Sequence, residues 1–127
     1  MLSAGERMSD EARLNEHPVA GIERANNAVV VRLTGELDLY NAPEIRTALF
    51  ELCAEQPERI VVDLSQVDFV DSTALGVLIE ARTKLARRQS FLLASPGLET
   101  HRALTISGLD RHLAVHDTVE SALAAPL

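Results

Sequence analysis

The sequence predicts a single α/β domain: a mixed, mostly parallel β-sheet that opens with a hairpin and is covered by about four helices. Three observations predict it. Short apolar runs of strand length alternate with segments whose apolar residues recur every three or four positions, the pattern of strands joined through helices. Turn and cap signals bracket each segment, so the elements can be ordered. The 127 residues are 46% hydrophobic but only 3% aromatic, so Val, Leu, Ile and Ala packed between regular elements must fill the interior.

Met1 to His17 mix Glu6, Asp10, Glu11 and Glu16 with Arg7 and Arg13. This stretch lacks the continuous apolar segment of a secretory signal, and no part of the chain approaches the ~20 apolar residues of a membrane span. Residues 1–17 therefore read as a poorly ordered arm, and residues 18–127 as the folded unit. Val19 to Arg24 and Ala28 to Thr34 read as two strands joined at Asn26-Asn27, a pair that tolerates a tight hairpin turn. Asn41 follows as a helix N-cap, with Pro43 in the first turn and Glu44 three residues on. The first helix aligns Ile45, Ala48, Leu49, Leu52 and Cys53 on one face until Pro57 stops it. Cys53 reads as core filler, since buried cysteines behave as small apolar groups.

Ile60 to Leu64 form a β-branched run suited to a strand covered on both faces, with Asp63 marking where burial ends. A second helix starts around Asp71 and Ser72 and turns Leu75, Leu78, Ile79 and Leu85 inward. Arg82, Lys84, Arg87 and Arg88 then suit its negative dipole end. Ser90 to Ala94 make another strand and Ser95-Pro96-Gly97 a turn. Leu98 to Ser107 form a helix stopped by Gly108, a residue free to adopt a left-handed cap. His112 to Val115 give a last strand, and a final helix begins at Asp117, paired with Glu120 as a capping box. The order is ββαβαβαβα.

A formal charge of -7 and a pI near 5.0 argue against a grip on phosphate backbones or anionic lipid, both of which need clustered cations. Direct nucleic-acid and membrane binding are not expected; a protein partner is. Cys53 is the only cysteine, so no internal disulfide can form and the cytoplasm is the expected compartment. His112 and His116, four steps apart on an extended strand, would stand about 13 Å apart, too far to share one ion. His17 and His101 add no cluster. No metal and no cofactor are expected.

The segment Val67-Asp68-Phe69-Val70-Asp71-Ser72-Thr73-Ala74-Leu75-Gly76 places two hydroxyls beside an acid at a strand-to-helix junction. Local chemistry leaves two readings open. Asp71, Ser72 and Thr73 serve only as helix caps, or Ser72 is a reachable acceptor for a phosphoryl group, which the free amides and dipole of a helix start favour by ~0.3–1 kcal/mol. Gly35-Glu36-Leu37-Asp38 reads as an acidic loop leaving the second strand, either a solvated turn or a neighbour of the Ser72 loop. A serine hydrolase is the sharpest enzymatic rival, but no Gly-x-Ser-x-Gly elbow surrounds Ser72 and no histidine lies nearby in sequence.

Gly35-Glu36-Leu37-Asp38, then Asp71-Ser72-Thr73-Ala74-Leu75-Gly76, then Ser107-Gly108-Leu109 together resemble the STAS domain of bacterial anti-sigma factor antagonists, over roughly Pro18 to Leu123. The resemblance implies a STAS fold and a binding module that is not an enzyme. It implies that the anti-sigma factor, a serine kinase that itself binds ATP, docks on the unmodified domain and is lost once Ser72 is phosphorylated, with Thr73 a secondary acceptor. A phosphatase would reverse the step. Asp38 and Asp71 match acids flanking the family's phosphorylation site; with Ser72, Thr73, Leu75 and Gly76 they make up the expected partner surface. Ala74 departs from the family, in which many members carry Gly. The same resemblance allows another role, as a subunit of a stress-sensing assembly or a regulatory partner of a transporter.

Overall fold

The computed structural model describes residues 17–127, so the expectation for the N-terminal arm falls, apart from His17, outside the described residues. The strands are β1 Val19–Ala25, β2 Ala28–Leu37, β3 Arg59–Val70, β4 Phe91–Ala94 and β5 Ala114–His116. The helices are α1 Ala42–Ala54, α2 Ser72–Arg82, α3 Leu98–Ser107 and α4 Val119–Ala124. Short 3-10 turns at Arg88–Ser90 and Leu109–Arg111 precede β4 and β5. The strands lie in the order β1-β2-β3-β4-β5. β1 and β2 are antiparallel and every other neighbouring pair is parallel, which is the predicted mixed α/β sheet in the predicted element order.

Local chemistry explains most of the boundaries. Asn26 and Asn27 both take positive φ, 53° and 68°, the left-handed conformation that a two-residue hairpin needs and that asparagine tolerates. Gly108 ends α3 in the left-handed region at φ 78°, as predicted. Alternating strand residues then divide the core in two. Val29, Val31 and Leu33 of β2, Ile60, Val62 and Leu64 of β3, and Phe91 and Leu93 of β4 pack with the apolar faces of α1, α2 and α3. The opposite face holds a small cluster of Val61, Leu92 and Ala94 against Ala122 of α4.

Beside that small cluster, Arg32, Asp63, Ala94 and His116 stand in register across four strands. Asp63 is itself buried, so burial does not end there. Its carboxylate accepts from Arg32 Nε at 3.3 Å and from the Ser65 amide at 2.9 Å, as a buried anion requires. Cys53 is buried with its thiol 3.4 Å from the Ala81 carbonyl. Burial pushes that thiol up to about 11, which agrees with a packing role.

Several boundaries differ from expectation. β2 runs on to Leu37 and β3 to Val70, because the two continue to pair through irregularities near Thr34 and Glu36. Gly35-Glu36-Leu37 is therefore strand, and only Asp38 begins the loop. Asn41 does not cap α1 with its side chain. α2 ends at Arg82, which leaves Lys84, Leu85, Arg87 and Arg88 beyond it, although Leu85 is still buried. β5 begins at Ala114, so His112 stands outside the strand. α4 is capped one residue later than predicted, by Thr118 with Ser121 rather than Asp117 with Glu120, since Thr118 both accepts from and returns a hydrogen bond to the N3 residue.

Candidate functional site

β2 and β3 are parallel, so they deliver their following loops to the same end of the sheet. Leu37 and Val70 are partners in register, and the Asp71 amide donates to the Leu37 carbonyl at 2.9 Å. Asp38 and Asp71 thus leave neighbouring strands side by side, as expected if the acidic loop lies beside Ser72.

The two carboxylates are occupied by backbone. Asp71 is the N-cap of α2: Oδ1 accepts from the Ala74 amide at 2.9 Å. Its other oxygen, Oδ2, accepts from the Leu39 amide at 3.0 Å, so one side chain starts a helix and fastens the neighbouring loop. Asp38 closes that loop on itself, accepting from the amides of Tyr40 and Asn41 at 3.0 and 3.2 Å. Asn41 answers by accepting from the Asp38 amide at 2.8 Å and donating to the Glu36 carbonyl at 2.7 Å. Its side chain is spent on the loop, which is why it cannot cap α1.

Ser72 occupies the first helical position and is exposed. Asp71 has taken the capping role, and none of the hydrogen bonds among the described residues involves the Ser72 hydroxyl. Thr73 is exposed beside it. Gly76, one turn along the same face, is exposed too, and a Cβ added there would meet nothing within 4 Å. The backbone therefore lies bare next to Ser72. Leu75 is a correction: at 5% exposure it belongs to the core, positioned four residues from Asp71 on the inward side of α2. It supports the surface and does not form it.

The structure adds three residues that sequence reading missed. Leu39 and Tyr40 in the β2–α1 loop and Phe69 near the end of β3 are exposed apolar side chains, Tyr40 at 88%. The only signal was their position, since Leu39-Tyr40 directly follow Asp38 in a loop that has no core of its own to fill. Charge in the two junction segments is one-sided: residues 33–45 and 64–79 contain Glu36, Asp38, Glu44, Asp68 and Asp71 and no Lys or Arg.

Among the described residues, no group of three or more His, Cys, Asp or Glu side chains is arranged to hold a metal ion. No hydrogen bond among them joins Ser72 to a histidine, the base a serine nucleophile needs. No helix of the described residues is long and apolar enough to cross a membrane.

Comparison with known proteins agrees with this geometry. The STAS domain model matches residues 20–122. The anti-sigma-F factor antagonist RsfB of Mycobacterium tuberculosis is 32% identical over 98 residues, covering 77% of this chain and 80% of the relative. An anti-sigma F factor antagonist of Paenibacillus polymyxa is 32% identical over 105 residues, or 80% of this chain and 89% of the relative. The crystal structure of an anti-sigma factor antagonist from Mycobacterium paratuberculosis superposes with a TM-score of 0.77 at 31% identity, over 82% of this chain and 89% of that one. The chain belongs to the STAS domain family, and the relatives named above are anti-sigma factor antagonists.

Proposed function

We propose that this chain is an anti-sigma factor antagonist whose unmodified form binds an anti-sigma factor with serine kinase activity and so frees a sigma factor. The single observation that carries the reading is the exposed, unengaged Ser72 hydroxyl at the start of α2. The partner docks on the surface formed by Leu39, Tyr40 and Phe69 around Ser72, Thr73 and the bare backbone at Gly76. Asp38 and Asp71 hold that surface in shape through backbone amides.

The kinase binds ATP, the phosphoryl donor. The Ser72 oxygen forms a bond to the γ-phosphorus while the bond from that phosphorus to ADP breaks, and a base on the kinase takes the hydroxyl proton. This chain needs no cofactor of its own. The added group brings about -1.5 to -2 charges into an end with no Lys or Arg in either junction segment. One like-charge contact with the partner at ~6 Å and an effective dielectric near 20 costs about 3 kcal/mol before salt screening, roughly a hundredfold in affinity. A phosphatase restores the binding form.

Purified chain incubated with ATP and each anti-sigma factor kinase of its source organism tests this directly. Mass spectrometry should find phosphate on Ser72, and Ser72→Ala should abolish it. Ser72→Asp should bind the partner at least tenfold more weakly than Ser72→Ala; equal affinities would remove the charge switch. Gly76→Gln supplies a variant in which folding is not at issue, because glutamine favours helix over glycine by up to about 1 kcal/mol and the added side chain meets open space. It should keep the fold and lose the partner.

A further inference from the structure

The five most exposed large apolar side chains among the described residues are Tyr40, Ile106, Leu98, Leu39 and Phe69. Single exposed apolar residues are ordinary on a protein surface, but these five are confined to the β2–α1 loop, the end of β3, and α3. Leu98 and Ile106, 72% and 78% exposed, flank Arg102 at four-residue steps and so form one outward stripe on α3. The inward side of the same helix is buried through Thr100 and Leu104.

α3 is continuous with the Ser72 end. β4 runs parallel to β3, so the turn after Ala94 that leads into α3 leaves the sheet at the end where Ser72 stands. There the backbone of Gly97 passes so close to β3 that a Cβ on it would sit 3.9 Å from the Val67 carbonyl, two residues before Phe69. From Leu98 the stripe runs about 12 Å along the helix to Ile106. A stable protein interface covers about 800 Å² on each partner and some 20–30 residues. Leu39, Tyr40 and Phe69 with the start of α2 fall short of that number.

Resting on the reading of the chain as an antagonist, we infer that the anti-sigma factor's footprint continues from the Ser72 loops along the outward face of α3, where Leu98 and Ile106 meet an apolar strip of the partner. The contact is bipartite. One part carries the phosphorylatable hydroxyl, and the other is a fixed apolar anchor that phosphorylation does not touch. The partner surface is correspondingly an apolar strip extending beyond the kinase's own reacting centre.

The test uses the anti-sigma factor that the unmodified full chain binds, measured by calorimetry with wild type, Ser72→Asp, Leu98→Asp, Ile106→Asp and Leu123→Asp. Leu123 is the control, an exposed apolar residue of α4 on the opposite face of the sheet. Ile106→Asp and Leu98→Asp should each weaken binding tenfold or more with unchanged circular dichroism and thermal midpoint, while Leu123→Asp stays within twofold. Wild-type affinity in both α3 variants would overturn the inference and leave the antagonist reading intact. Failure of wild type to bind any anti-sigma factor would remove the antagonist reading itself. Sedimentation decides the remaining case: a wild-type dimer that Ile106→Asp converts to monomer would assign the stripe to a second copy of the chain and also overturn the inference. A rescue measurement sharpens the positive result, since Ile106→Leu should recover the affinity that Ile106→Asp loses.

Discussion

Two strand-to-helix junctions lie side by side in this molecule and begin alike. Leu37-Asp38 ends β2 and Val70-Asp71 ends β3, and the two apolar residues are partners in register. The acids then diverge. Asp38 folds its carboxylate back onto Tyr40 and Asn41 in its own loop. Asp71 divides its two oxygens between Ala74 in its own helix and Leu39 in the other junction. The difference teaches why the hydroxyl is free at one junction and no equivalent exists at the other. After Asp71 the helix starts at once and Asp71 caps it through the Ala74 amide, so Ser72 stands in the first turn with its hydroxyl released from that task. After Asp38 a loop intervenes, and its polar side chain, Asn41, is consumed in closing it.

Asp71→Ala should break the comparison most severely. It removes a helix cap, worth about 0.5–2 kcal/mol, and leaves the Leu39 amide without its acceptor, so a total loss of about 2–3 kcal/mol is expected in urea denaturation. Hydrogen exchange should accelerate at both Leu39 and Ala74. Asp38→Ala should cost less, about 1 kcal/mol, with faster exchange at Tyr40 and Asn41 and none at Ala74. Accelerated exchange at Ala74 in that variant would show that the two junctions are one unit and dissolve the distinction. Ser72→Ala should change stability by less than about 0.5 kcal/mol, as expected of an exposed side chain with no bonds to lose.

The smallest effect concerns the helices that the junctions launch. Arg46 of α1 donates to Glu80 of α2 at 2.8 Å, and that hydrogen bond holds the Glu80 carboxyl below its ordinary value. A lowered acid contributes at neutral pH and loses its contribution as pH falls through the folded value. Wild type and Arg46→Gln should therefore differ slightly at pH 7 and converge in acid, and the difference should shrink with salt because the pair is exposed. A thermal-melt series over pH and ionic strength measures both.

Much of this was readable in advance, for physical reasons that name its limits. Asn26-Asn27, Gly108 and the β-branched run at Ile60 to Val62 announce their elements because each satisfies a local constraint. The second half of β3 did not, since Ser65, Gln66 and Asp68 break the apolar run while pairing with β2 still holds the backbone extended. Asn41 looked like a cap because caps favour asparagine, but a competing loop claimed its side chain. Thr118 displaced Asp117 for a similar reason, a one-residue contest between two good capping types. Ser72 was legible as a position, whereas the surface around it was not. Neither the exposure of Tyr40 and Phe69 nor the burial of Leu75 follows from local pattern, because each depends on which way a neighbouring strand or loop turns.

The absence of Lys and Arg from residues 33–45 and 64–79 bears on how such a domain would keep time. A phosphoryl group on Ser72 would find no cation in either junction segment to clasp, and so would gain no ion pair within them that must later be broken. The mark would be carried on the outside, without a rearranged interior to store it. Erasing it would then require only the hydrolysis of one ester, and the molecule would be ready for its partner with no relaxation step and no memory of how long it had been marked.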